Sequence, residues 1–166
     1  MLNIINNLSP FFEDCYRRIG VREYAKIIKV SPPTASKILS EYQREGLLKK
    51  QEDRNYLFFF ADKENKTFTD ISRIYWRIKL KDIIEKIEEN TTNPIIILFG
   101  SLSKAEATKN SDIDIAIISS KKEINLKDYE KRLKREIQIF WFDSFDKIDK
   151  ELRNNILNGY ILSGKI

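Results

Sequence analysis

Residues 94–118 read PIIILFGSLSKAEATKNSDIDIAII. Pro94 to Phe99 is a continuous apolar run of strand length, the pattern of a strand buried on both faces. It ends at Gly100-Ser101, passes a helix-compatible stretch from Leu102 to Ala107, turns at Thr108-Lys109-Asn110 and re-enters a strand over residues 111–118. Side chains two apart on a strand share a face, so Asp112 and Asp114 are expected side by side. Neighbouring carboxylates repel unless a cation neutralises them. An oxygen-only ligand set suits Mg²⁺ (or Mn²⁺), which keeps waters and binds substrate phosphates as well. Gly100 lets the backbone come close to a phosphate, and the Ser101 hydroxyl with amides at a helix start can hold its oxygens. The pattern implies a metal-bound nucleoside triphosphate beside a groove.

Composition narrows the chemistry around this stretch. The chain has 166 residues, 30 Lys+Arg against 25 Asp+Glu, a formal charge of +5, and no histidine. At roughly 100–200 residues per domain it holds one medium domain or two small ones. The missing imidazole excludes Ser-His-Asp triads, histidine acid–base catalysis and zinc sites that need histidine. Cys15 is the single cysteine, so an internal disulfide is excluded, and with no histidine to activate it a filler role near Phe11, Phe12 and Ile19 is expected. No apolar run approaches the ~20 residues of a membrane span. Residues 1–10 lack the basic region and apolar core of a signal peptide, so the expectation is a cytoplasmic protein.

Upstream, Val21, Tyr24, Ala25 and Ile28 carry helical spacing, and Ser31-Pro32-Pro33 reads as a capped helix start. The next helix is expected over 33–45, with Ala35, Ile38, Leu39 and Tyr42 inward and Gly46 as a left-handed stop. A strand from Leu47 to Lys50, a polar turn over 51–55 and a returning strand over 56–60 complete two helices and a hairpin, the outline of a winged helix-turn-helix. Thr34, Ser36, Lys37, Ser40 and Arg44 then fall largely on the outer side of the second helix, and with Ser31 at its start they can meet phosphates or base edges of double-stranded DNA. Lys49, Lys50 and Arg54 place positive charge at the hairpin. Glu41 and Glu45 dilute this charge, and the net charge over 1–66 is only about +3, so modest affinity is expected without a homodimer. The segment VREYAKIIKVSPPTASKILSEYQREGLLKK also resembles the winged-helix domains of archaeal and bacterial transcription regulators.

Residues 67–89 carry Phe68, Ile71, Ile74, Tyr75, Ile78, Ile83, Ile84 and Ile87 mostly at steps of three and four, which predicts one connecting helix ended by Asn90-Thr91-Thr92-Asn93-Pro94. Lys127, Lys131, Arg132, Lys134 and Arg135 fall on a helix whose apolar side includes Leu126, Tyr129 and Leu133. A solvated face is the expectation there, with polyanion binding as the alternative. Phe58-Phe59-Phe60 reads as hairpin core, and Phe140-Trp141-Phe142 as a buried strand.

The segment GSLSKAEATKNSDIDIAI resembles the signature of the DNA polymerase beta-like nucleotidyltransferases, especially their minimal branch. There Gly-Ser is followed after nine residues by Ser-Asp-x-Asp, as Gly100, Ser101, Ser111, Asp112 and Asp114 are here, and Glu106-Ala107 also agrees. The resemblance covers about 90–166, where LRNNILNGYILSGKI is similar to the family's final helix and strand. With the N-terminal reading it implies an α+β protein: a winged helix-turn-helix over 1–66, a connecting helix over 67–89, and a nucleotidyltransferase α/β domain with a mixed sheet over 90–166. It further implies that Asp112 and Asp114 hold the metal and are catalytic, that Gly100, Ser101, Ser111 and Gln138 bind nucleotide, and that the substrate is ATP. The chain departs from the family at Ala105, where a glycine is common, and at Gln138, where the third carboxylate is expected on the strand over 137–142. An amide takes no proton from an attacking hydroxyl. Glu136 shares the face of Gln138 but lies near the strand's edge, and Asp143 has the opposite parity. Three readings follow: a DNA-binding Mg²⁺-dependent nucleotidyltransferase; a transcription regulator with a degenerate nucleotide-sensing or dimerising domain; and an antitoxin-like partner of a HEPN-type toxin.

Overall fold

The computed structural model describes residues 2–165; Met1 and Ile166, the outer ends of the expected ranges 1–66 and 90–166, lie outside the described residues. The chain is α+β, with eight α-helices and two sheets among the described residues. It divides into two compact units. One comprises the chain up to Tyr75 with Ala105–Lys109, the other Trp76–Lys104 and the chain from Asn110 onward. Among the described residues no helix is long and apolar enough to cross a membrane.

The first unit runs α1 (Leu2–Glu13), β1 (Ile19–Gly20), α2 (Val21–Ile28), α3 (Pro32–Arg44), β2 (Leu48–Asp53), β3 (Tyr56–Ala61) and into α4 (Lys66–Lys79). Leu8, Phe11 and Phe12 of α1 are fully buried with Ile19, Tyr24, Ala35 and Leu39. The Ser31 hydroxyl accepts the Thr34 N–H at 3.3 Å and so caps α3, and Gly46 ends that segment at φ +75. The hairpin pairs in the order β1-β3-β2. The turn expected over 51–55 is shorter: Gln51, Glu52 and Asp53 stay in the ladder opposite Phe58, Leu57 and Tyr56, and Arg54 (φ 47) and Asn55 (φ 68) alone make the turn. A two-residue turn with both φ positive matches the right-handed twist of the strands, and Asn tolerates that region. Cys15 is buried as expected, its thiol on the Phe12 carbonyl at 3.9 Å, and its N–H donates to Ala107 O at 2.8 Å.

The second unit begins in the last residues of α4 and continues with α5 (Lys81–Asn90), β4 (Ile95–Phe99), α6 (Gly100–Ser103), β5 (Ile113–Ile118), α7 (Lys127–Leu133), β6 (Ile137–Phe142), a 3-10 turn (Phe145–Lys147), α8 (Lys150–Leu157) and β7 (Tyr160–Ser163). Its sheet is mixed, in the order β6-β5-β4-β7, with β5 and β6 parallel and the other pairs antiparallel. A parallel pair needs a crossover, and α7 lies within it. Ile97, Phe99 and Ala116 on one face of the sheet pack on Ile148 and Ile156.

Four expectations are corrected in this unit. The single helix over 67–89 is two, because Leu80 leaves helical geometry (φ −93, ψ 4) and its carbonyl takes the N–H groups of both Ile83 and Ile84 at 3.0 Å. That break keeps Leu80, Ile83, Ile84 and Ile87 buried together, and no glycine or proline marks it. The helix expected over 102–107 is one turn shifted to Gly100–Ser103, and the chain leaves it through Ala105 at φ 55. Strand β6 is half-buried along its length instead of buried, because it is an edge strand. Arg135, expected on a solvated helix face, lies past the end of α7 and is buried.

Candidate active site

Asp114 stands on an inner strand of the second unit's sheet, close to one end of it. It pairs with Phe99 across the antiparallel β4–β5 ladder and with Gln138 across the parallel β5–β6 ladder. Partners in register present their side chains to the same face, so Asp114 and Gln138 lie side by side. Directly after Phe99, Gly100 takes φ +69, and a Cβ placed on it would come 2.2 Å from Asp114 Oδ2. The Asp114 carboxylate is therefore seated over the bare Cα of Gly100. No other residue type leaves that space and adopts that φ without strain.

Asp112 lies just before β5, where the sequence pattern put it on the strand. Its carboxylate is fixed from outside the strand: Gln138 Nε2 donates to Asp112 Oδ2 at 2.8 Å. A carboxylate only accepts, so the amide must turn its nitrogen toward it. Burial and, second, the charge of Asp112 raise the Asp114 carboxyl above its ordinary value. The two acids are thus close enough to repel, as the strand spacing implied.

The other expected residues sit around this pair in different ways. Ser101, on the single turn of α6, is half-buried. Ser103 Oγ, which sequence reading did not single out, donates to Gly100 O at 2.9 Å and braces that turn. Ser111 is held through its carbonyl by the buried guanidinium of Arg135. Arg135 also lies 5.3 Å from the centre of the Trp76 ring. Lys79 flanks the same ring at 5.4 Å, and burial, with the Arg135 charge second, lowers its amine to about 8. A basic residue following four others gave no sequence signal that it turns inward. Glu136 is exposed and outside β6, touching the strands through its carbonyl, which accepts the Ile113 N–H at 2.8 Å. Asp143 follows β6 and pairs with Lys147 at 2.8 Å.

As a cation site, the residues that could supply donors are the Asp112 and Asp114 carboxylates, with the Gln138 amide turned by its nitrogen onto Asp112. Among the described residues no group of three or more Asp, Glu, Cys or His could hold a metal. Two carboxylates fit one Mg²⁺ or Mn²⁺ that completes its shell with water and phosphate oxygens.

In the first unit, α2 and α3 pack through Tyr24, Ala25, Ala35, Leu39 and Tyr42, which leaves Ser31, Thr34, Lys37 and Arg44 exposed and Ser36 half-buried. The Ser31 and Thr34 hydroxyls bond each other at 2.8 Å. Lys49 lies 3.1 Å from Asp62 and 3.4 Å from Glu64, so its charge is already matched. Lys50 and Arg54 are exposed on the hairpin, Arg54 in its turn.

Residues 81–165 match the family described as Polymerase beta, Nucleotidyltransferase. No curated protein and no solved structure matches the chain.

Proposed function

The chain belongs to the polymerase beta nucleotidyltransferase family, and we propose that its second unit transfers a nucleotidyl group from a nucleoside triphosphate, ATP first among them, to an acceptor hydroxyl. The observation that carries this reading is the Asp114 carboxylate seated over Gly100 beside Asp112. Asp112 and Asp114 would hold Mg²⁺ or Mn²⁺; when bound, the ion neutralises their charge and that developing on the phosphates. Gly100, Ser101 and Ser111 line the approach of the triphosphate, and Gln138 orients Asp112. The acceptor oxygen forms a bond to the α-phosphorus while the bond to the bridging oxygen breaks. Pyrophosphate leaves with that electron pair, and the hydroxyl proton goes to solvent, since the Gln138 amide takes none. The test is incubation with labelled nucleoside triphosphates, Mg²⁺ or Mn²⁺ and candidate acceptors, comparing the native chain with Asp112→Asn and Asp114→Asn. Transfer lost in both variants supports the reading; transfer retained in both overturns it.

A second reading rests on Gln138. With its nitrogen spent on Asp112, the site has no third acid to act as a base, which suits a regulator that binds nucleotide without transferring it. Metal-dependent nucleotide binding with no transfer supports this alternative.

For the first unit the proposed role is duplex DNA binding by a winged helix-turn-helix, with α3 in the major groove and the β2–β3 hairpin as the wing. Support comes from the capped helix, the two-residue turn and the free cations. Lys37, Arg44, Lys50 and Arg54 are exposed with no carboxylate partner among the described residues, whereas Lys49 is matched. The reach of this module would bring the transferase unit to DNA or to an operator.

A further inference from the structure

Strand β6 forms one edge of the second unit's sheet. The carbonyls of Glu136 and Phe142 accept the N–H groups of Ile113 and Ser119 on the β5 side. Backbone groups alternate direction along a strand, so the odd residues of β6 turn their N–H and C=O groups outward. One of these is closed: the Ile137 N–H donates to Glu130 Oε1 at 3.0 Å. Ile139 and Trp141 carry no such cap among the described residues.

The side chains of Ile137, Ile139 and Trp141 line an open cleft of about 720 Å³, bounded on its other side by residues 121–127. Lys121, Lys122 and Lys127 stand on that rim, and none has an ion-pair partner among the described residues. Most other edge devices are missing here: no proline, no bulge and no charge lies on β6 itself.

We propose that β6 is a docking edge for an extended acidic segment of another protein, which adds a strand beside Ile139 and Trp141. Its apolar side chains would enter the cleft and its carboxylates would meet Lys121, Lys122 and Lys127. Strand addition takes its affinity from main-chain bonds and its choice of partner from such side-chain pockets. Charge decides the occupant. A second copy paired edge to edge would bring the same lysines together, and like charges across an interface are costly. Glu123 is the one rim carboxylate not engaged with the strand, so the rim stays net positive. A nucleic acid would use the lysines but has no need of outward carbonyl acceptors.

The test uses the full chain, labelled for amide exchange, and a synthetic octapeptide alternating Glu and Val. A control of the same sequence carries N-methyl groups on alternate amides, and oligothymidylate serves as the competing polyanion. The peptide should slow exchange at the Ile139 and Trp141 amides, the methylated control should not bind, and Lys121→Glu/Lys122→Glu should weaken binding by about tenfold. Absence of peptide binding, equal binding of the methylated control, or occupation of the cleft by oligothymidylate with the peptide excluded would each overturn the proposal. Since both lysines are exposed, their reversal leaves the core untouched, and thermal unfolding of the variant checks that the fold persists.

Discussion

Gly100→Ala isolates the contact on which the candidate site is built. Two costs add. The first is conformational: φ +69 is a left-handed geometry that costs an L residue about 1–2 kcal/mol. The second is steric, because the new Cβ falls 2.2 Å from Asp114 Oδ2, 3.2 Å from its Cγ and 3.4 Å from its Cβ. The carboxylate must swing away or the β4–α6 junction must move, a disturbance of about 1–3 kcal/mol by analogy with overpacked cores. In an Asp114→Ala background the two nearest atoms are gone and the remaining approach, at 3.4 Å, is ordinary contact. There Gly100→Ala should cost only the conformational part. Urea unfolding of the four proteins gives the coupling energy, expected at about 1–3 kcal/mol. Additive costs, with the alanine equally damaging in both backgrounds, would refute the seating of Asp114 over Gly100 and with it the geometry from which nucleotidyl transfer is argued.

Three other outcomes are expected. Gln138→Glu replaces a donor by a third carboxylate, so it should lower stability without metal, by the repulsion and the lost bond to Asp112, and tighten Mn²⁺ binding; calorimetric titration showing weaker Mn²⁺ binding would count against a cation between Asp112 and Asp114. The Lys79 amine loses its proton near 8 when folded and near its ordinary 10.5 when unfolded, so the unfolded chain binds more protons between those values and the native chain should gain stability as pH rises through them. Subtracting the urea stability of Lys79→Met at each pH isolates the effect, and a flat difference from pH 7 to 10 would contradict it. Lys37→Ala and Arg44→Ala should each weaken duplex DNA binding and reduce the salt slope by about one unit, read by fluorescence anisotropy at several salt concentrations; unchanged binding in both would remove α3 from the groove.

What was legible in the sequence follows from which signals are local. The buried run ending at Phe99 and the hydroxyl cap at Ser31 are decided by neighbouring residues, and both are found as read. The glycine after the strand was legible as a place of close approach, but the group the structure shows against it is the Asp114 carboxylate. Asp112 and Asp114 were legible as neighbours from their spacing, and although Asp112 precedes the strand its charge does act on the Asp114 carboxyl. The break at Leu80 was not legible. Helical periodicity runs through it, and only burial of Leu80 with Ile83, Ile84 and Ile87 turns the chain there. Arg135 was hidden for a similar reason: its place is fixed by the carbonyl of Ser111 and the ring of Trp76, both far away in sequence. The two-residue turn at Arg54-Asn55 carries no signal that sets it apart, because Gln51, Glu52 and Asp53 are polar as well, and polarity marks an exposed strand as readily as a turn.

The parallel register of β5 and β6 makes position 138 the hinge of the functional question. Whatever stands there faces Asp114 at the same level of the sheet, so its charge is counted with that of the two acids. A carboxylate would add a third negative charge to a site where burial and Asp112 already raise the Asp114 carboxyl. Such a trio is tolerable only with cations bound. An amide changes the balance in two ways at once: it withholds the charge, and it supplies an N–H to Asp112 at 2.8 Å. The pair is then held in place before any ion arrives. That should make the metal-free chain more stable, and on the proposed function it would limit the site to one divalent ion with its phosphate ligands. On the proposed function, the side chain that cannot act as a base also holds in advance an acid that would take the ion, so capacity to bind and capacity to transfer would be set in opposite directions by a single side chain.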